Sequence, residues 1–329
     1  MAQAQSQVDP AFFRDARDGI SRVIQNIETV ITIDRFKLEY VLASQIAGGH
    51  VMLADSHGVG KTSLARALAG SINWEAAHKT SEGVPVDYFN RIQCTVDLLP
   101  QDILGFNRFD MATSHYVFNR GPIFAHFVLC DEINLLTPKT QGSFFQAMEE
   151  QMVSIEGETY HLPSPFFIIS TMNLRGQHLF PLPAPQLDRF MLQISMGYPP
   201  EDKEIEIIEK HGRTNSWGNF GPVAEVGELL AWMRLVDEVS IHRDVVAYIV
   251  SFVRKTRGYP GIITGASPRA GIKISRLARA LALVRGENYV TIDLVKELLV
   301  PALAHRLELE DPTQPPADLL AAIEKEVKA

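Results

Sequence analysis

Apolar residues recur at helical spacing between residues 10 and 28 (Phe12, Phe13, Ala16, Ile20, Val23, Ile24, Ile27), which predicts an amphipathic lead helix. A short β-branched run, Val30 to Ile33, separates it from a second helical stretch, Phe36 to Ala47, which Gly48-Gly49 closes as a C-cap. The apolar run His50 to Ala54 predicts a first strand, and Ser63 to Ile72 a helix. After a polar stretch, Tyr88 to Val96 predicts a second strand. Residues 97–121 have no long period and carry Phe106, Phe109, Tyr116 and Phe118 among polar residues; we expect a short helix and a hairpin-like insertion there.

Phe124 to Asp131 and Pro165 to Met172 are almost wholly apolar, the signature of strands buried on both faces of a parallel sheet. Between them lie a predicted helix, Pro138 to Gln151, and an alternating hairpin, Val153 to His161. Pro185 can open a short helix carrying Asp188-Arg189, since its missing N–H is no loss at a helix start. Met191 to Met196 predicts another strand. Beyond Gly197-Tyr198-Pro199-Pro200 no strand pattern remains. Glu201–Lys210, Val226–Val239, Asp244–Arg257, Pro268–Arg285, Ile292–Leu307 and Ala317–Val327 are predicted helices, with a polar connector from His211 to Pro222. Strands alternating with helices and then helices alone imply an α/β fold with a parallel sheet flanked by helices, followed by a smaller all-helical domain.

Composition narrows the function. The 329 residues suffice for one large or two ordinary domains. With 46% hydrophobic and 21% charged residues, the chain has the balance of a globular protein. A net charge of −8 argues against a general nucleic-acid coat, which needs a basic face. Two cysteines, Cys94 and Cys130, make neither a disulfide framework nor a metal set. The polar start, Met1 to Asp9, lacks the order of a secretory leader, and no apolar run approaches the length of a membrane span. The expectation is a cytoplasmic protein without membrane insertion.

The candidate chemistry centres on Leu53 to Thr62, LADSHGVGKT. Strand, glycine-bearing turn, Gly60-Lys61-Thr62 and helix is the layout of a phosphate-binding loop. Its backbone N–H groups can curl round phosphate oxygens at a helix N-terminus. Lys61 would reach the β/γ-phosphates and Thr62 would hold Mg²⁺. The pattern G-x-x-x-x-G-K-[ST] wants Gly at 55, and this chain has Asp. Asp131-Glu132 end an apolar strand, where ligands of open parallel sheets sit. Asp131 can hold Mg²⁺ and Glu132 can activate a water; an acidic strand-end turn is the plainer alternative. Asn173, ending the next buried strand, could position the same water or simply form a turn. His57 reads most simply as a turn residue. Arg189 and Arg269 suit phosphate oxygens; for Arg189 the alternative is a surface pair with Asp188, while Arg269 sits at a helix start, where a cation opposes the dipole.

These residues resemble the MoxR family of AAA+ ATPases. The strings that carry the resemblance are Leu98-Leu-Pro-Gln-Asp-Ile-Leu-Gly105, Gly121-Pro-Ile-Phe124, Cys130-Asp-Glu-Ile-Asn134, Pro138-Lys-Thr-Gln141, Ala147-Met-Glu-Glu-Gln151, Pro163-Ser-Pro-Phe-Phe167, Gln186-Leu-Asp-Arg-Phe190, Gly197-Tyr-Pro199 and Gly265-Ala-Ser-Pro-Arg269. The match as a whole runs from about residue 20 to 308. The resemblance implies an AAA+ P-loop domain over 20–198, after a polar lead and the start of the N-terminal helix in 1–19. A helical lid with a C-terminal helix would occupy 199–329. It implies a nucleotide loop of Asp55, Ser56, His57, Gly58, Val59, Gly60, Lys61, Thr62 and Ser63, with Mg²⁺ on Thr62 and Asp131. Glu132 would be the catalytic acid and Asn173 sensor 1. Arg189 would be a finger reaching the neighbouring subunit's nucleotide, and Arg269 sensor 2 within its own subunit. It further implies ATP and Mg²⁺ as cofactors, a homo-oligomeric ring, a hexamer, a protein client to remodel or mature, and a von Willebrand A-domain partner. The segments 105–120 and 153–161 would be pore or partner hairpins. Alternatives from other classes are a nucleic-acid motor, with Arg108 and His115 on the first hairpin, and a nucleotide-gated scaffold with little turnover. The chain departs from the family at Asp55, at His57 in place of Pro, at Ile33-Asp34 in place of Gly-Gln, and at Ala184 in place of Glu. An Asp beside phosphates adds repulsion, so Asp55→Gly is expected on this reasoning to tighten ATP binding.

Overall fold

The structure, a computed structural model of the chain, describes residues 10–55, 58–77, 84–173, 180–211 and 217–327. In chain order the longer strands are β1 (Val51–Ala54), β2 (Asp87–Gln93), β3 (Gly105–Asp110), β4 (His115–Arg120), β5 (Ala125–Asp131), β6 (Met152–Ile155), β7 (Glu158–His161), β8 (Phe167–Met172) and β9 (Leu192–Ile194). Five of them form one parallel sheet in the order β9-β1-β8-β5-β2. The other four are two antiparallel hairpins, β3–β4 and β6–β7, as the sequence predicts for 97–121 and 153–161.

Successive side chains of a strand face opposite sides, and the sheet uses both. Val51, Leu53, Phe127, Leu129, Phe167 and Ile169 join the core on one face; Met52, Val128, Cys130 and Ile168 join the core on the other. This explains why these strands read as continuous apolar runs.

Helices α1 (Pro10–Glu28), α2 (Arg35–Ile46) and α3 (Lys61–Gly70) cover the first face. The second face is covered by α4 (Pro100–Leu104) and α5 (Pro138–Glu150). After the short α6 (Ala184–Leu187) come α7 (Glu201–His211), α8 (Val226–Leu235), α9 (Arg243–Lys255), α10 (Pro268–Val284), α11 (Ile292–Leu303) and α12 (Pro316–Glu326). Residues of α8 to α12 share one apolar core with α1, α2 and the first face of the sheet, so the chain's core continues past residue 198. α2 ends as predicted: Gly48 has φ +73°, and the N–H groups of Gly48 and Gly49 bond back to Gln45 and Ser44.

The structure departs from the sequence expectations in three places. The helical region holds short ladders, with Ala224–Glu225 beside Ile72–Asn73, Ser240–Ile241 beside Tyr289–Val290, and Ile262–Thr264 beside Glu308–Leu309. Ladders of two or three residues leave no alternation to detect. The predicted helices 226–239 and 292–307 stop at Leu235 and Leu303 and finish in tighter 3₁₀ turns. α6 ends at Leu187, so Arg189 lies in the turn leading to β9 rather than on a helix.

Candidate active site

At the carboxyl edge of the sheet, three neighbouring strands deliver the predicted nucleotide residues. β1 leads into Asp55, and Gly58, Val59 and Gly60 precede α3, which begins at Lys61. Gly58 and Gly60 have φ of +82° and +86°, so both need glycine. Among the described residues, a Cβ on Gly58 would meet nothing within 4 Å and one on Gly60 only the Met196 methyl at 3.9 Å, which leaves room beside these glycines. Thr62 and Ser63 occupy the first turn of α3. Ser56 and His57 lie outside the described residues.

β8 separates β1 from β5, and its hydroxyl Thr171 organises the acidic pair. The Thr171 hydroxyl donates to Asp131 at 2.6 Å, and the Glu132 N–H donates to Thr171 Oγ1 at 2.8 Å. Glu132 sits at φ +60°, ψ +52°, a left-handed conformation uncommon for a side-chain-bearing residue and one that clusters at working sites. Asn173 directly follows β8, and its carbonyl accepts from Asn134 Nδ2 at 2.8 Å. Arg91, on β2, donates to the second Asp131 oxygen at 2.7 Å. Thr171 and Arg91 escaped the sequence reading, and Asn134 entered it only as part of a motif string, without a role. Thr171 leaves a signal, a hydroxyl inside an apolar strand two residues before Asn173; Arg91 leaves none, since its role depends on the register of β2 against β5.

The donor set suits Mg²⁺·ATP. Room beside a glycine loop, an ammonium at the helix start and a hard carboxylate oxygen one strand beyond β8 are what a triphosphate and its metal require. Lys61 Nζ donates to the Asp55 backbone carbonyl at 2.9 Å, which holds the ammonium against the loop.

Arg189 and Arg269 are elsewhere. Met191 N–H bonds to the His50 carbonyl, so the turn carrying Arg189 is level with the amino end of β1. The phosphate loop begins at the carboxyl end of that strand, about 13 Å away at about 3.3 Å per residue. Arg189 pairs with Glu149 of α5 at 3.1 Å rather than with Asp188, and it also donates to the Phe145 carbonyl. Arg269, at the start of α10, reaches the same Glu149 carboxylate at 3.0 Å. Glu149 thereby supplies a partner for a cation that the helix dipole disfavours.

The surroundings are basic. Asp188 pairs with the buried Arg306 at 2.7 Å and accepts from Ser267 at 3.2 Å. Lys273 donates to the Asp188 carbonyl. Burial lowers Lys273 to about 8, Arg306 adds to that, and Asp188 and Glu149 act against it. Three cations (Arg189, Arg269, Lys273) and two carboxylates (Glu149, Asp188) therefore line a cleft of about 280 Å³ that also includes Gly48, Gly49 and His50, and Arg306 lies buried behind it on Asp188. Burial lowers His50 to about 4, and its Nδ1 accepts from Ile168 N–H at 3.1 Å, so the ring is neutral.

A parallel sheet with a glycine-lysine loop on its first strand and paired acids on its third defines a P-loop ATPase. Residues 50–192 match the family described as ATPase family associated with various cellular activities (AAA), and 254–326 match the AAA lid domain. The chain is 35% identical to the Bacillus subtilis protein YeaC over 300 residues, covering 91% of this chain and 90% of that one. It is 34% identical to Chaperone MoxR1 of Mycobacterium tuberculosis, covering 88% of this chain and 76% of the relative. A crystal structure of a candidate ATPase from Cytophaga hutchinsonii superposes with a TM-score of 0.86 at 27% identity, covering 97% of each chain. The chain belongs to the MoxR family of AAA ATPases, as its sequence motifs anticipate, and ATP hydrolysis is its chemistry. No described helix is long and apolar enough to cross a membrane.

Proposed function

We propose that this ATPase works as a homo-oligomeric ring, a hexamer, in which each Mg²⁺·ATP lies against the phosphate loop of one copy and the Arg189–Arg269 pair of the next. The observation that supports this is the separation of the two groups by the full height of β1. Arginines at the amino edge of the sheet cannot serve the loop at its carboxyl edge within one chain. They carry a surplus of positive charge and stand ready for a phosphate brought by another copy. The family resemblance would keep Arg269 within its own subunit; its sharing of Glu149 with Arg189 supports the reading in which both act in trans.

Within one copy, Gly58 to Ser63 cradle the phosphates and Lys61 turns its ammonium to the β/γ-phosphates. When bound, the metal, held by Thr62 and Asp131, supplies charge neutralisation there. Glu132, fixed through Thr171, orients the attacking water and takes its proton, and Asn173 positions the same water. Arg189 of the neighbour stabilises charge on the transferred group; in-trans arginines of this kind contribute about 10³–10⁵ in rate.

Hydrolysis then drives remodelling or metal-linked maturation of a protein client, with a von Willebrand A-domain partner, in the cytoplasm. The two hairpins support contact with a protein. Phe106, Phe109, Met111, Tyr116 and Val117 are exposed on β3–β4 and its turn. The hairpin is braced against β6–β7 by an Asn107–Glu156 hydrogen bond of 2.8 Å and by Phe118 stacked on Tyr160 at 4.0 Å. The large and helical domains meet near 198.

Mixing tests the ring. Arg189→Ala keeps a complete nucleotide loop but lacks its finger; Lys61→Ala keeps the finger but binds no nucleotide. Each alone is expected to hydrolyse poorly, and mixed rings should recover a measurable part of wild-type turnover. No recovery in rings shown to contain both variants overturns the trans assignment.

A further inference from the structure

Asp55 is the residue that breaks the strict phosphate-loop pattern, yet it is fully engaged. It is buried, with 8% of its surface exposed. Its carboxylate accepts from Ser195 Oγ at 2.5 Å, from Met196 N–H at 2.6 Å and from Gly197 N–H at 3.4 Å. Its N–H donates to the Met172 carbonyl at 3.3 Å, and its carbonyl accepts from Lys61. One residue thus joins the loop, the end of β8 and the exit from β9. Among the described residues, positive φ in this loop falls on Gly58 and Gly60 and not on Asp55, so position 55 has no conformational need for glycine.

A second departure from the family meets it. Asp34 pairs with Lys37 at 3.0 Å, and Lys37 Nζ donates to the Met196 carbonyl at 2.9 Å. The Met196 residue is therefore gripped at both backbone groups, by a carboxylate at its N–H and an ammonium at its carbonyl. The side chain of Met196 in turn lies over Gly60. Charge-assisted hydrogen bonds are short and strong, and linked bonds in a buried network polarise one another.

We propose that Asp55 is a positioning residue of the ATPase. With Lys37 and Asp34 it clamps the Met196 segment beside the phosphate loop and so fixes the loop that presents Lys61. The proposal rests on nucleotide binding at the 55–62 loop. It reverses the sign of the expectation from charge repulsion, because the carboxylate is committed to donors at 195–197.

Equilibrium binding of a fluorescent ADP analogue to the full chain tests it, measured well below the melting temperature so that a purely structural loss does not register. Asp55→Gly is expected to weaken binding about tenfold, the order of one charge-assisted hydrogen bond. Asp55→Asn should recover most of that, since its amide can accept from Met196 N–H and donate to Ser195. Lys37→Met should weaken binding about threefold, and Asp55→Gly with Lys37→Met should be no worse than Asp55→Gly by more than about twofold, because both act on one segment. Unchanged or tighter binding by Asp55→Gly overturns the proposal, as does full multiplication of the two effects. Should Asp55→Gly fail to fold, Ser195→Ala and Lys37→Met decide: weakening by both supports the clamp, and unchanged affinity in both overturns it. Lys61→Ala separates the two levels. Lost binding there with tighter binding by Asp55→Gly overturns the clamp alone, whereas retained binding by Lys61→Ala overturns the site reading together with it.

Discussion

The two edges of the sheet are built in opposite ways. At the carboxyl edge, Lys61 opens α3 beside the glycine loop, and Asp131 and Glu132 stand across β8 from it, with Arg91 paired to Asp131. At the amino edge, arginines are already paired, with Arg189 and Arg269 on Glu149 and Arg306 on Asp188. An edge arranged to receive a triphosphate sets an ammonium at a helix start and its acids on another strand. An edge arranged to deliver cations holds them on carboxylates that stop them repelling one another. The same contrast separates roles within the basic cluster: Arg306 is nearly sealed, with 2% of its side chain exposed, whereas Arg269 is 70% exposed and free to exchange partners.

That contrast breaks if the amino edge proves to be structural only. The largest expected effect is on Arg189→Ala, which should lower turnover by about 10³–10⁵ while leaving nucleotide affinity within a few-fold. Loss of affinity in parallel with turnover would put Arg189 on its own chain's nucleotide and erase the distinction between the edges. Glu132→Gln should cost about 10²–10⁴ in turnover, the usual weight of a general base, again with binding kept. Unlike Arg189→Ala, it should not be restored by a neighbour with an intact Arg189.

A smaller effect sharpens the division between anchor and chemistry. Asp188→Ala strands the buried Arg306 guanidinium, and removing one partner of such a pair costs about 3–5 kcal/mol. Burial already pulls Arg306 below its ordinary range while Asp188 acts against it. Chemical denaturation should show the loss; a change under about 1 kcal/mol would mean that the α10–α11 region is held by its apolar core alone.

The smallest effect is one of pH. His50 titrates at about 4 in the fold and near 6.5 when unfolded. The unfolded chain therefore binds the extra proton between those values, and stability present above 6.5 is lost as the pH falls towards 4. At about 1.4 kcal/mol per pH unit, His50 should contribute a loss of about 2 kcal/mol between pH 6.5 and 5. His305 is also pushed down, by burial first and then by Arg306 and Lys273, and adds in the same direction. His50→Gln, whose side chain can still accept from Ile168, should flatten the slope; an unchanged slope would assign it to other groups.

Much of this molecule is legible in one dimension. Both buried strands ending in polar residues, the glycine-lysine loop, both hairpins and the helical second half follow from local periodicity and turn chemistry, because each depends on residues close in sequence. The family follows from ordered strings in the same way. Other features depend on register and on contacts across long separations. Strand order brings Thr171 between Asp131 and Glu132, and the pairing of β2 with β5 brings Arg91 to Asp131. The placement of α10 sets Arg269 beside Arg189 and away from the loop. At Asp55, only the tertiary structure decides between repulsion and clamp, since the partners of its carboxylate lie 140 residues or more along the chain. The sequence determines that a negative charge stands in the phosphate loop. Which way that charge points is settled by the packing of β9 against β1, which brings the N–H groups of 196 and 197 within its reach.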